Sequence, residues 1–109
     1  MKKIIYLYAD VQKARVLQRK VLSVAIQDEV PQSEAAVFKL FSTKLHQKLA
    51  NEAMDILGRE GLFRKEYESS HANGKWEWSY RSTLVDTIGA GTTEIQKNTI
   101  AKKSLKLPL

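Results

Sequence analysis

One short segment near the end of the chain has residue types suited to approaching and binding an anionic ligand. In Gly89-Ala90-Gly91-Thr92, two glycines flank one alanine just before a predicted helix. Glycine lets a backbone come close to a ligand. The first N–H groups of a helix lack acceptors within the helix and attract negative charge. By itself the pattern is weak evidence for a site, because many glycine-interrupted helices bind nothing.

The other residue types that can do chemistry form no motif. His46 and His71 are far apart, and neither has a second histidine at the spacing of metal ligands on a helix. The chain has no cysteine, which excludes disulfides, thiolate metal sites and cysteine nucleophiles. No motif suggests a serine–histidine–carboxylate arrangement. We therefore expect no metal site, and we expect His46 to be a surface or partly buried helix residue.

The formal net charge of +6 allows two interpretations. A basic surface that also carries Trp76 and Trp78 can stack and bind nucleic acid. Alternatively, the lysines lie on a solvated face and the tryptophans anchor a loop. The basic residues are scattered along the chain rather than clustered, which favours the solvated face.

The first residues faintly resemble the start of a signal peptide, since Met1-Lys2-Lys3 precedes a short apolar run. Asp10 interrupts that run, and no small-residue cleavage site follows it. No apolar stretch is long enough for a membrane-spanning helix. The sequence therefore predicts that this segment begins a helix of a cytoplasmic protein.

Two long amphipathic helices are predicted ahead of the glycine-rich segment. Apolar residues recur at helical spacing over 3–27 and again from about Gln32 to Leu57. Pro31 separates the two helices, Ser33 can cap the second, and Gly58 supplies its stop signal.

The second half of the chain is predicted as a loop and a broken pair of helices. Residues 59–78 show no regular pattern, and Asn73-Gly74 is a turn signal. A short helix is predicted over about 79–88. A last helix is predicted over about 92–104, with Thr93 and Gln96 at capping-box spacing. The chain is thus predicted to be all-α with the architecture of a helical bundle.

The continuous sequence Thr87–Ala101 closely resembles the C-terminal signature of acyl-CoA dehydrogenases, a run of the type x-G-T-S-E-I-Q-R-N-I-I-A. Other segments resemble the same family in order along the chain. Ala36–Phe41 resembles its A-K-L-F helix, and Asp55–Gly58 its Q-I-L-G-G helix end. Tyr80-Arg81 resembles its Y-R-D step, and Leu105–Pro108 its L-G-L-P terminus. The resemblance covers nearly the whole chain.

The resemblance implies a partial four-helix bundle, with residues 1–109 as a C-terminal helical domain that lacks its first helix. Members of the family hold FAD and oxidise an acyl-CoA to the trans-2-enoyl-CoA. A carboxylate removes the α-proton while the β-hydrogen leaves as hydride to the flavin. An electron-transferring flavoprotein usually takes the electrons onward. The implied partners are the remaining dehydrogenase domains or a partner subunit, in a homo- or hetero-oligomer.

By position, the resemblance assigns cofactor contacts to Gly58, Thr92 and Glu94. Two residues beside Gly58 depart from the family pattern, because Asp55 replaces its glutamine and Arg59 its second glycine. A carboxylate near the flavin pyrophosphate repels it, and Arg59 can offset that repulsion.

A third departure concerns the catalytic base. In many members a glutamate immediately precedes the Gly-Thr of the signature, and here Ala90 occupies that position. Alanine cannot accept a proton, and members that place the base on an earlier helix would place it before Met1. We therefore identify no catalytic residue and expect the chain alone to be inactive. The competing hypothesis is a non-enzymatic basic helical module that binds nucleic acid or a partner protein.

Overall fold

The computed structural model describes residues 2–64 and 74–108. These residues form four α-helices, namely α1 (Lys2–Ile26), α2 (Gln32–Leu57), α3 (Lys75–Asp86) and α4 (Thr93–Thr99). A 3-10 turn over Gly58–Leu62 follows α2, and a π-helical turn over Ile100–Ser104 continues α4. No strand occurs in the described ranges, and the predicted all-α class is confirmed. His71 and Asn73, which entered the predictions above, lie outside the described residues.

The connection between α1 and α2 is short, and its backbone marks the end of one helix and the start of the next. Asp28 has a φ of 58°, and this left-handed conformation ends a helix without glycine because aspartate tolerates it. The carbonyl of Pro31 accepts a hydrogen bond of 2.9 Å from the N–H of Ala35. Because α2 begins at Gln32, Ser33 lies inside the first turn and is not the capping residue that the sequence suggested.

Helix α3 begins earlier than predicted, at Lys75 instead of about Ser79. Gly74, with a φ of 68°, is left-handed and immediately precedes it. Glu77 and Arg81 are four residues apart, and a pair at this spacing stabilises a helix. Trp76 and Trp78 consequently lie on a helix rather than in the predicted loop.

The chain divides into two compact units. One unit comprises residues 1–42 with 90–109, and the other comprises residues 43–89. In the first unit Leu7 and Ala36 are buried, and in the second Leu45 and Ala50 are buried. Each unit thus has a small apolar core.

Much of the apolar surface of α1 is solvent-exposed. Leu7 is its one buried residue, whereas the exposed fractions of Ile4 and Leu22 are 56% and 55%. An open apolar groove of about 710 Å³ lies along this helix, lined by Tyr8, Ala9, Gln12, Lys13, Val16 and Leu17 of α1 and by Phe41 of α2. Over the described residues, no helix combines the length and apolarity needed to cross a bilayer.

A buried carboxylate organises the second unit. Glu77 is 9% exposed and accepts two hydrogen bonds from Arg81, of 2.6 Å from Nε and 3.2 Å from Nη2. Nε of Arg64 lies 3.9 Å from the same carboxylate. The bidentate geometry is the strong form of an ion pair.

We expect Arg81→Met to lower the free energy of unfolding by about 2 kcal/mol, because a charged hydrogen bond contributes roughly 1.5–3 kcal/mol and the remaining carboxylate stays buried. Urea denaturation measures the change. Lys13→Met is the control, since Lys13 and Asp10 form an exposed pair at 3.3 Å and such pairs contribute about 0–1 kcal/mol. Equal losses in the two variants would contradict this role for Arg81.

Candidate cofactor-binding site

The backbone is left-handed at Ala90 and Gly91, immediately before α4. Their φ angles are 55° and 103°. A Cβ atom at Gly91 would lie 2.7 Å from Nε2 of Gln96, so the end of that side chain would have to move to accommodate it. Alanine accepts the left-handed conformation at a cost of roughly 1–2 kcal/mol. The conformation at Gly91 is therefore the one that requires glycine.

Thr92 is the capping residue of α4. Its φ and ψ angles of −66° and 166° are extended, and its Oγ1 accepts a hydrogen bond of 3.2 Å from the N–H of Ile95. Thr93 is consequently the first helical residue, and the predicted capping box of Thr93 and Gln96 is wrong by one position. Because Oγ1 uses a lone pair for the cap, the hydroxyl proton remains able to donate to a ligand.

Side chains bind two consecutive carbonyl groups of this turn. Nε2 of Gln96 donates to the carbonyl of Ala90 at 3.2 Å. Nζ of Lys39, which belongs to the same unit, donates to the carbonyl of Gly91. The cap uses the N–H of Ile95. Within the described ranges, the N–H groups of residues 90–94 have no acceptor.

The two other predicted positions in this segment are accessible. Glu94 lies in the first turn of α4 and is exposed, where its negative charge complements the positive end of the helix. Ala90 is exposed as well, and it presents only a methyl group. Thr92 and Glu94 are thus within one short segment, beside a position that offers no proton acceptor.

Gly58 belongs to the other unit, at the end of α2. Its φ is 58°, and the space that a Cβ atom would occupy is empty to 4 Å. An open cavity of about 730 Å³ is lined by Asn51, Met54, Asp55, Gly58, Arg59, Leu62 and Tyr80. The two substituted positions, Asp55 and Arg59, therefore line the cavity together with Gly58. Sequence reasoning missed Asn51, which carries no motif, and noted Tyr80 only as part of a family string.

The remaining candidates are accounted for by local contacts. His46 is half-exposed, as expected, and its Nδ1 lies 3.0 Å from Oδ2 of Asp86. The ammonium group of Lys75 lies 5.8 Å from the ring centroid of Trp76. The residues in 2–64 and 74–108 contain no group of three or more metal-ligating side chains.

Comparison with known proteins gives a consistent set of relatives. A family model described as "Acyl-CoA dehydrogenase, C-terminal domain" matches residues 1–105. Acyl-CoA dehydrogenase IpdE1 of Mycobacterium tuberculosis is 38% identical over 72 residues, which are 66% of this chain and 18% of that protein. Acyl-CoA dehydrogenase FadE26 of the same organism is 30% identical over 76 residues, which are 70% of this chain and 19% of that protein. The chain thus spans about a fifth of the length of these relatives.

Solved structures show the same fold. The Tcur3481-Tcur3483 steroid ACAD matches with a TM-score of 0.91 and 26% identity, over 98% of this chain and 28% of that chain. The ChsE4-ChsE5 complex from Mycobacterium tuberculosis matches in fold with a TM-score of 0.83 and 24% identity, over 94% of this chain and 26% of that chain. The predicted partial four-helix bundle of the acyl-CoA dehydrogenase type is confirmed. The match of the family model over residues 1–105, the two relatives and the fold together show that this chain belongs to the acyl-CoA dehydrogenase family, in its C-terminal domain.

Proposed function

We propose that the chain is the C-terminal, FAD- and subunit-contacting segment of a flavin-dependent dehydrogenase that forms enoyl-CoA from acyl-CoA. The main support for this proposal is the hydrogen bonding of the turn at Gly91-Thr92. Its carbonyl groups are bound by side chains of the protein, and N–H groups and a hydroxyl proton remain available as donors. Such donors at a helix start suit the oxygens of a phosphate group.

The residues present fit this cofactor. Gly91 lets the backbone come close to a ligand, and its φ of 103° is a conformation that residues with a side chain rarely adopt. Thr92 donates its N–H and hydroxyl to phosphate oxygens, whereas the Glu94 carboxylate in the same exposed turn accepts only from a donor group of FAD, such as a hydroxyl. Gly58 offers a second contact, in a cavity where Asp55 and Arg59 carry opposite charges. When bound, FAD supplies the acceptor for the hydride that leaves the β-carbon.

Ala90 limits what this chain does in the reaction. A general base must reach the proton that it removes, and a methyl group cannot accept one. We propose that a carboxylate from another segment, either of the same polypeptide or of a partner subunit, removes the α-proton. This chain then binds the cofactor and shapes the site without performing proton transfer.

The proposed partners are the remaining dehydrogenase domains or a partner subunit, in a homo- or hetero-oligomer, with an electron-transferring flavoprotein as electron acceptor. The exposed apolar groove of α1 supports an association, because apolar patches of this kind usually mark an interface. Two similar structures are named for a pair of proteins, Tcur3481-Tcur3483 and ChsE4-ChsE5. One of these names contains the word steroid, so a steroid-derived acyl-CoA belongs among the substrates to be tested.

The experiment is to purify the complete assembly from its host and to record its visible absorption spectrum and its oxidation of acyl-CoA thioesters. A flavin spectrum that is bleached by straight-chain or steroid-derived acyl-CoA is the expected result. An assembly without flavin that binds nucleic acid, with an affinity that falls steeply as salt rises, would overturn the proposal in favour of the basic helical module.

A further inference from the structure

Lys39 connects the middle of the chain to the proposed cofactor turn. It lies on α2, is half-buried, and donates from Nζ to the carbonyl of Gly91, 52 residues later in the sequence. The donor is charged, and charged donors make stronger hydrogen bonds than neutral ones. Lys39 thus holds one particular peptide group of the turn.

The geometry of a trans peptide gives this contact a consequence for the next residue. The peptide group between Gly91 and Thr92 carries the Gly91 carbonyl on one side and the Thr92 N–H on the other, and its plane is rigid. No cis peptide bond occurs among the described residues. When Lys39 binds the carbonyl, the Thr92 N–H must therefore point away from Lys39.

Glycine makes such a constraint necessary. Gly91 has no Cβ, so the plane of the following peptide group can rotate between orientations that other residues exclude. Gln96 constrains the preceding peptide group in the same way, since its amide binds the Ala90 carbonyl at 3.2 Å. The orientation of two successive N–H donors is consequently fixed by two side chains, one on α2 and one on α4.

We propose that Lys39 is a positioning residue for the cofactor site, an inference that rests on the proposed function. Its ammonium group fixes the Gly91–Thr92 peptide so that the Thr92 N–H faces the phosphate oxygens of FAD. Lys39 acts through Gly91 and does not itself touch the cofactor.

The test measures the dissociation constant of FAD in the complete flavoprotein after removal and re-addition of the cofactor. Lys39→Met keeps the length of the side chain but removes the donor and the charge. It should weaken FAD binding about ten- to a hundredfold, the range expected for a charged hydrogen bond. Lys39→Arg keeps the charge and the donors and should restore most of the affinity. Lys44→Met, on an exposed position of the same helix, should bind FAD like the parent.

A double variant separates positioning from general destabilisation. Thr92→Pro removes the N–H together with the capping hydroxyl, whose separate share is given by Thr92→Val, and the φ of −66° at this residue already suits proline. In that background Lys39→Met should cost little further affinity, because the donor that Lys39 orients is gone. Fully additive losses would overturn the inference. If Lys39→Met does not fold, Lys39→Gln replaces it. Parent-like FAD binding by Lys39→Gln would also overturn the inference.

Failure of the inference differs from failure of the proposed function. A parent protein that binds FAD, loses affinity on Thr92→Pro and keeps it on Lys39→Met would refute the role of Lys39 alone. A complete parent assembly that binds no flavin would refute the proposed function, and the role of Lys39 with it.

Discussion

Thr92→Val should reduce the FAD affinity of the complete flavoprotein about five- to a hundredfold. A hydrogen bond to a charged group contributes roughly 1.5–3 kcal/mol and a neutral one about 1 kcal/mol, and valine has no hydroxyl to donate. Thr92 also caps α4 through the N–H of Ile95, so valine additionally costs the helix about 1 kcal/mol. Titration of the apoprotein with FAD measures the affinity.

Two further variants separate the contact from the cap. Thr92→Asp keeps an acceptor for the cap but replaces the hydroxyl by a negative charge, and should bind FAD at least as weakly as valine does. Thr99→Val is the matched control, because the Thr99 hydroxyl donates to the carbonyl of Ile95 at 3.0 Å, on the same helix. Lys20→Gln, at an exposed position of α1 that does not line the apolar groove, should also change little. Parent-like affinity in Thr92→Asp would show that Thr92 is only a cap.

The isolated chain should show no catalytic turnover. The 109-residue chain, supplied with FAD, acyl-CoA and an artificial electron acceptor, should oxidise no substrate. It spans about a fifth of the length of its relatives, and Ala90 occupies the position where many family members have their base. Loss of a general base alone typically costs 10²- to 10⁴-fold in rate.

Ala90→Glu by itself should not restore the reaction in the isolated chain. The exposed, left-handed position can hold the larger side chain, but a carboxylate without a bound thioester and flavin has nothing to act on. The complete flavoprotein serves as the positive control in the same assay. Reduction of the electron acceptor by either form of the isolated chain would contradict the proposed division of labour.

The family and the helical class could be predicted because they depend on short sequence motifs and on the spacing of apolar residues. Both features involve residues that are close together in the sequence. The Gly-Thr step and the helix that follows it stand in the sequence as consecutive residues. The two long helices are likewise marked by apolar spacing and by Pro31. The start of the last helix was predicted to within one residue, yet the choice between Thr92 and Thr93 as cap depends on backbone angles that the sequence does not specify.

Contacts between distant residues could not be predicted in the same way. Lys39 and Gly91 are 52 residues apart, and His46 and Asp86 are 40 apart, so only the tertiary fold brings either pair together. The early start of α3 was missed for a different reason. The irregular pattern over residues 59–78 and the Asn73-Gly74 turn signal suggested a loop, whereas the i,i+4 pair of Glu77 and Arg81 was in the sequence and indicated a helix.

The way in which the Gly-Thr turn is held also bears on how its chemistry can change over evolution. Lys39 and Gln96 donate hydrogen bonds to main-chain carbonyl groups, which every amino acid has. The side chain of residue 90 points into accessible space, and its left-handed backbone costs much the same for alanine as for glutamate. A single exchange at this position can therefore remove or supply an acid–base group while the scaffold keeps its shape. Selection on the reaction therefore acts on the side chain of residue 90, whereas selection on the fold acts on the main-chain groups of the turn.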